Sequence, residues 1–134
     1  MLNAFIDTNV LLYRVDLTDQ IKCVKAGTLI SEIGDGFVTS TQVLQEFYAN
    51  ATRKLNLPPP NAVRALDSFC QRKVIQVTPS LIFAAIETSE RNRISFWDGL
   101  IVEAAVAGRC KVIYTEDLNH GQRIRGVLVQ NPFV

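Results

Sequence analysis

Residues 3–13 read NAFIDTNVLLY. An apolar run, Ala4-Phe5-Ile6, stops at an acid, Asp7. The polar pair Thr8-Asn9 then separates it from Val10-Leu11-Leu12. A short apolar run closed by polar residues reads as a strand, and the apolar residues that follow fit the first turns of a helix. The stretch therefore predicts a first strand over 2–6 that presents a carboxylate at its carboxyl end, at the head of a short helix.

The alternation continues along the chain. Further strands are expected at 37–39 (FVT), 74–77 (VIQV), 111–115 (KVIYT) and 126–130 (GVLVQ). Asp19 fits as the cap of a helix carrying Ile21, Val24, Leu29, Ile30 and Ile33, stopped by Gly34-Asp35-Gly36. Thr39 with Gln42 fits a capping box for a helix from near Ser40, carrying Val43, Leu44, Phe47, Ala51 and Leu55. Pro58-Pro59-Pro60 reads as a rigid exposed connection, with a helix from about Asn61 to Arg72 beyond it. Thr78-Pro79 is a cap followed by proline at the first helical position. Ser95 caps FWDGLIVEAAVAG, which Gly108 ends. Strands alternating with helices imply right-handed crossovers. The expectation is a single α/β domain over 1–134, a three-layer fold with a mostly parallel five-stranded sheet and helices on both faces.

The 134 residues suit one domain, and 48% of them are apolar, enough for a sizeable core. A net charge of +1 neither announces nor excludes a polyanionic partner. No stretch has the uninterrupted apolar length of a membrane span, and no basic leader precedes a long apolar segment. The expected location is the cytoplasm, without membrane attachment. Cys23, Cys70 and Cys110 are odd in number, far apart and flanked by apolar residues, which suits small buried hydrophobes better than disulfides or a zinc site.

In an open α/β sheet, ligands bind beyond the carboxyl ends of the strands. Asp7 follows the first strand, and Glu116 and Asp117 follow the fourth. Asp98 lies in the first turn of the helix leading into that fourth strand. Glu46 sits about two turns into its helix, beside the stripe of Val43, Leu44 and Phe47. Each acid also has an ordinary explanation. Asp7 could cap the helix after it, Asp98 complement a helix dipole, Asp117 cap a turn, and Glu46 be a solvated neighbour of Asn50 or Arg53. Taken together, the four converge from separate segments, and clustered carboxylates repel unless a cation compensates. Hard divalent ions, Mg²⁺ or Mn²⁺, prefer oxygen ligands, activate water and clamp phosphodiester oxygens. No cysteine pair, histidine pair or glycine-rich phosphate loop competes for this role. Thr8 and Asn9 would support the acid at position 7 by hydrogen bonds.

The segments FIDTNVLLY, LQEFY, SFWDGLIVEAAVAGRC and VIYTEDLNHG, in this order and followed by GVLVQNPF, resemble the PIN-domain nucleases, most nearly the VapC-type toxins of bacterial toxin–antitoxin pairs. The resemblance implies that the family's acidic quartet falls on Asp7, Glu46, Asp98 and Asp117, its supporting hydroxyl on Thr115 and its small polar residue on Asn9. It implies a Mg²⁺- or Mn²⁺-dependent ribonuclease acting through a metal-activated water, and a homodimer held by a small antitoxin. Many relatives carry another acid shortly after the last one, where this chain has Asn119, His120 and Gly121, so Glu116 becomes a further candidate metal ligand. His120 reads as a polar loop residue and Trp97 as a packed aromatic beside Asp98. Arg14, Arg91, Arg93, Arg123 and Arg125 lie in or near the loops expected to ring the acids, and arginine suits bidentate phosphate contact with RNA.

Three other readings stay open at this level. A solitary RNA-processing nuclease would need no antitoxin. A non-catalytic RNA- or protein-binding module would be marked by loss of an acid, and none is lost. An aspartyl-phosphate phosphotransferase would want a second acid two residues after Asp7, where Asn9 stands.

Overall fold

A computed structural model describes residues 2–134. In chain order the elements are β1 (Asn3–Ile6), α1 (Thr8–Val15), α2 (Gln20–Ile33), β2 (Phe37–Ser40), α3 (Thr41–Arg53), α4 (Pro59–Cys70), β3 (Lys73–Ile75), α5 (Pro79–Asn92), α6 (Phe96–Ala107), β4 (Cys110–Tyr114), β5 (Arg123–Ile124) and β6 (Val127–Gln130). Among the described residues the sheet has six strands, in the order β3-β2-β1-β4-β6-β5. All pairs are parallel except β5 with β6. The expected class holds, and the strand count is corrected from five to six. The extra strand is two residues long, too short to show a period of its own. Its partner across the Arg125-Gly126 turn creates it, and positive φ at both turn residues (53° and 78°) suits a two-residue hairpin.

Local chemistry accounts for most boundaries. Asp19 accepts from Lys22 N, Thr78 from Leu81 N and Ser95 from Asp98 N, each opening its helix as expected. For α3 the cap is Ser40, which accepts from Val43 N, and Thr39 is instead a buried strand residue. The proline triplet is more than a connection. Pro59 and Pro60 form the first turn of α4, where a missing N–H costs nothing.

The core gathers Phe5, Ile6, Phe37, Val38, Ile113 and Val129 from the strands, with Val43 and Phe47 from α3. Helix α6 is buried at every residue from Gly99 to Ala105, including Glu103. It packs on β2, β4 and β6 and pairs closely with α5, while α1 to α4 pack among themselves. Strand order runs one way from β1 to β3 and then jumps back to place β4 on β1's other side. That reversal is a topological switch point, and it lies between β1 and β4. Of the three cysteines only Cys110 is buried, while Cys23 is half-buried and Cys70 exposed, which corrects the expectation for those two.

Candidate active site

Strands β1 and β4 end side by side, with Ile6 paired to Tyr114, and Asp7 N donates to Tyr114 O at 3.0 Å. The next residue of each strand, Asp7 and Thr115, therefore meet at the switch point. Asp7 is buried and caps α1, its Oδ1 accepting from Thr8 N at 2.7 Å. Its Oδ2 accepts from the fully buried Thr115 Oγ1 at 2.8 Å. The same hydroxyl oxygen accepts from Asp117 N at 3.0 Å and from Asn9 Nδ2 at 3.3 Å. Asn9 Oδ1 accepts from Glu116 N at 3.3 Å. Thr115 and Asn9 thus tie the loop after β4 to the start of α1; Thr115 and the Thr8 amide bond Asp7 directly, whereas Asn9 bonds Thr115 and Glu116 rather than Asp7.

Glu46 lies on the exposed side of α3, and its Oε1 accepts from Thr8 Oγ1 at 3.4 Å. Asp98 sits half-buried in the first turn of α6, where the Ser95 cap fixes its backbone at 3.0 Å. Asp98 and Asp117 line an open cleft of about 320 Å³ with Arg93, Ser95, Asn119 and Gln122. Three of the four acids are raised by their surroundings. Burial pushes the Asp7 carboxyl up to about 7, against the hydrogen bonds from Thr115 and Thr8, and the charges of Asp117 and Glu46 push the same way. Glu46 is raised by desolvation, with Asp117 and Asp98 adding to it. Asp98 is raised by desolvation and by Asp117. Among the described residues none of the four has an ion-pair partner.

Other candidates fall elsewhere. Glu116 is bound to Lys22 Nζ at 2.6 Å, so its charge is already met from α2. Arg14 lies at the far end of α1 against Cys23 and Gly27. Arg91 pairs with Glu87 and Arg125 with Glu103, both beside a separate cavity, and Arg123 is exposed on β5. Of the five arginines only Arg93 lines the acidic cleft. His120 is a loop residue whose Nδ1 accepts from Asn131 N at 2.9 Å. Trp97 is 64% exposed, contrary to the packed role expected for it, and among the described aromatic rings its ring meets only the neighbouring Phe96, edge-on. Two residues escaped the sequence reading. Gln42, assigned there to a capping box, is buried and reaches Trp97 O at 3.5 Å, linking α3 to the turn that bears Asp98. Glu103 is a buried acid whose one visible signal is its place inside an apolar helical run.

A family model of the PIN domain matches residues 4–124. No curated protein gives a significant match. Among solved structures, the chain resembles VapC20 of Mycobacterium tuberculosis, a sarcin-ricin loop cleaving toxin, at 22% identity and a TM-score of 0.72, over 86% of this chain and 90% of that one. A toxin–antitoxin complex from Klebsiella pneumoniae matches at 17% identity and TM-score 0.72, over 97% of this chain and 98% of the other. DNA-bound VapBC from Salmonella typhimurium matches at 17% identity and TM-score 0.70, over 98% and 99%.

Proposed function

The chain belongs to the PIN-domain family, and on that premise we propose that it is a Mg²⁺- or Mn²⁺-dependent ribonuclease, the toxin of a toxin–antitoxin pair. One observation carries this reading: four carboxylates from four segments surround the β1/β4 switch point with no counter-charge of their own. The donor set, oxygen throughout, fits a hard divalent ion. Among the described residues no three potential ligands form a ready-made metal cage.

Asp7, Glu46, Asp98 and Asp117 would hold the ion. When bound, it supplies an activated water and neutralises charge on the phosphodiester oxygens. The chain's own residues do the rest. Thr115 and the Thr8 amide hold the Asp7 carboxylate in one orientation. The Ser95 cap and Gln42 set the turn that carries Asp98. Arg93 stands on the cleft wall as a phosphate partner.

The partners follow by the same reasoning. The solved structures of this fold include complexes with antitoxins. Two apolar groups stand on this surface, Leu17-Ile21-Val24 and Ile82-Phe83-Ile86, and exposed apolar patches mark interaction sites. They support an antitoxin and a second copy of the chain as partners. Free thiols suit a cytoplasmic location, and among the described residues no helix is long and apolar enough to cross a membrane.

The test is cleavage of single-stranded RNA with Mn²⁺, with Mg²⁺ and with a chelator. Cleavage that needs metal and is lost in Asp98→Asn supports the proposal. Cleavage that survives the chelator, or an active Asp98→Asn, overturns it. Expression without a partner should arrest a bacterial host, and Asp7→Asn should not. A harmless wild type that cuts RNA in vitro would make the chain a solitary processing enzyme.

A further inference from the structure

Beside the acidic cleft lies a second cavity of about 210 Å³, lined by Ala84, Glu87, Thr88, Arg91, Asn92, Glu103 and Arg125. Asn92 lines both spaces, so they adjoin. Strand β5 spans the same interval: Gln122 lies on the cleft just before it and Arg125 on the second cavity just after. Arg93 stands on the cleft side of Asn92 and Arg91 on the other.

The second cavity is built around Glu103, 5% exposed on a helix otherwise buried in apolar surroundings. A buried carboxylate is costly unless its partners are well placed. Here Oε2 accepts from Thr88 Oγ1 at 2.7 Å and from Arg125 Nε at 3.0 Å, and Oε1 accepts from Arg125 Nη2 at 3.2 Å. This two-pronged bond clamps the guanidinium from one side. Nη1 takes no part in it, and the Arg125 side chain remains half exposed. Arg91 is bound only to Glu87, one helical turn away, in a pair whose side chains are 76% and 64% exposed. Such exposed pairs hold weakly in water, so an incoming anion can replace Glu87. A guanidinium held by a buried carboxylate and one held only by an exposed pair line the same cavity, with Asn92 at its border with the acidic cleft, and two arginines at one cavity suit phosphate recognition.

We propose that this cavity is a subsite for a backbone phosphate of the RNA strand, flanking the scissile phosphate and reached by passing Asn92. The inference rests on the ribonuclease reading. Arg91 and Arg125 grip the strand there, and Glu103 is a positioning residue that acts through Arg125. Contacts of this kind add affinity without reading sequence.

The experiment measures binding, apart from cleavage, of two labelled mixed-sequence single-stranded RNAs in Ca²⁺ buffer, one just filling the cleft and one several nucleotides longer. Arg91→Ala should reduce the longer RNA's affinity advantage over the shorter about tenfold and lower its salt slope by about one. Since Arg125→Ala would strand Glu103 and could unfold the chain, the second variant is Arg125→Met with Glu103→Leu, which replaces the pair by apolar groups. It should show the same loss with a cooperative melt retained. If both variants fold and keep the full advantage of the longer RNA, the subsite is overturned while the nuclease reading stands. If Arg91→Ala instead weakens only the capture of an acidic peptide, the cavity serves a protein partner and the inference falls. If the wild type neither binds nor cuts RNA, both readings fall together.

Discussion

At the scale of single residues, the site turns on one hydroxyl. Thr115 Oγ1 donates to Asp7 and accepts from Asp117 N and Asn9 Nδ2, so it couples two acids from distant segments. Thr115→Val keeps the volume and removes all three bonds. It should cost about 1–3 kcal/mol in chemical denaturation, because polar groups are left buried and unpaired. It should also push the Asp7 carboxyl higher, which carboxyl NMR titration reads directly. An unchanged Asp7 titration would remove Thr115 from the supporting role. Asp7 itself makes stability depend on pH. The unfolded chain releases this proton near 3.8 and the folded protein near 7. Between those values the folded state holds a proton that the unfolded state has lost, so stability falls as pH rises from about 4 to about 7 and then levels. Asp7→Asn, which still caps α1, should flatten that slope in chelator and raise stability near pH 8 relative to the wild type. Urea melts across pH settle it, and a slope unchanged in the variant would refute the assignment.

Among the elements, the α5–α6 hairpin decides where Asp98 stands. The helices approach closely at Gly99, where an added Cβ would lie 2.6 Å from the Ala85 carbonyl oxygen. Backbone cannot yield there as a flexible side chain would. Gly99→Ala should therefore destabilise by about 1–3 kcal/mol and reduce cleavage, since the displaced turn carries the neighbouring acid. Ser95→Ala, by contrast, removes only the cap and should cost about 1 kcal/mol. Thermal melts with RNA cleavage on the same preparations separate the two. Full activity in Gly99→Ala would mean that the hairpin does not set the acid. The caps of α2, α5 and α6 were legible in the sequence because an oxygen and an N–H two or three residues away settle them locally. The α3 cap was misplaced by one residue, since Thr39 and Ser40 offer the same hydroxyl chemistry. Only strand pairing, with Thr39 opposite Val74 and Ser40 opposite Ile75, fixes where β2 stops.

For the whole molecule, the acid cluster predicts that metal and folding are linked. An ion bound only by the native state at a hundred times its dissociation constant adds about 2.7 kcal/mol of stability. Millimolar Mn²⁺ should raise the melting temperature of the wild type by several degrees and leave Asp98→Asn with a smaller rise. A wild-type melt that Mn²⁺ does not move would refute the metal site. The exposed apolar residues of α5 predict self-association. Sedimentation should show a dimer for the wild type and a monomer for Phe83→Glu, and a wild type monomeric at high concentration would leave that face to another partner.

Periodicity, caps and turn residues act over a few positions, so the sequence by itself determined the alternation of strands and helices and the placing of Asp7 and Asp117 just beyond strand ends. Long-range pairing decided the rest. The order β3-β2-β1-β4-β6-β5 depends on contacts between segments far apart in the chain, and it alone puts Asp7 beside Thr115. Glu116 meets Lys22 across 94 positions, and Arg125 meets Glu103 across 22. Charge pairing follows distance in space, and no local rule records which distant element will bring a counter-charge. Asp7, Asp98 and Asp117 stand at element ends and Glu46 beside an apolar helical stripe, so these candidates were legible locally, whereas the arginines, which owe their positions to tertiary packing, could be sorted only once the chain was folded.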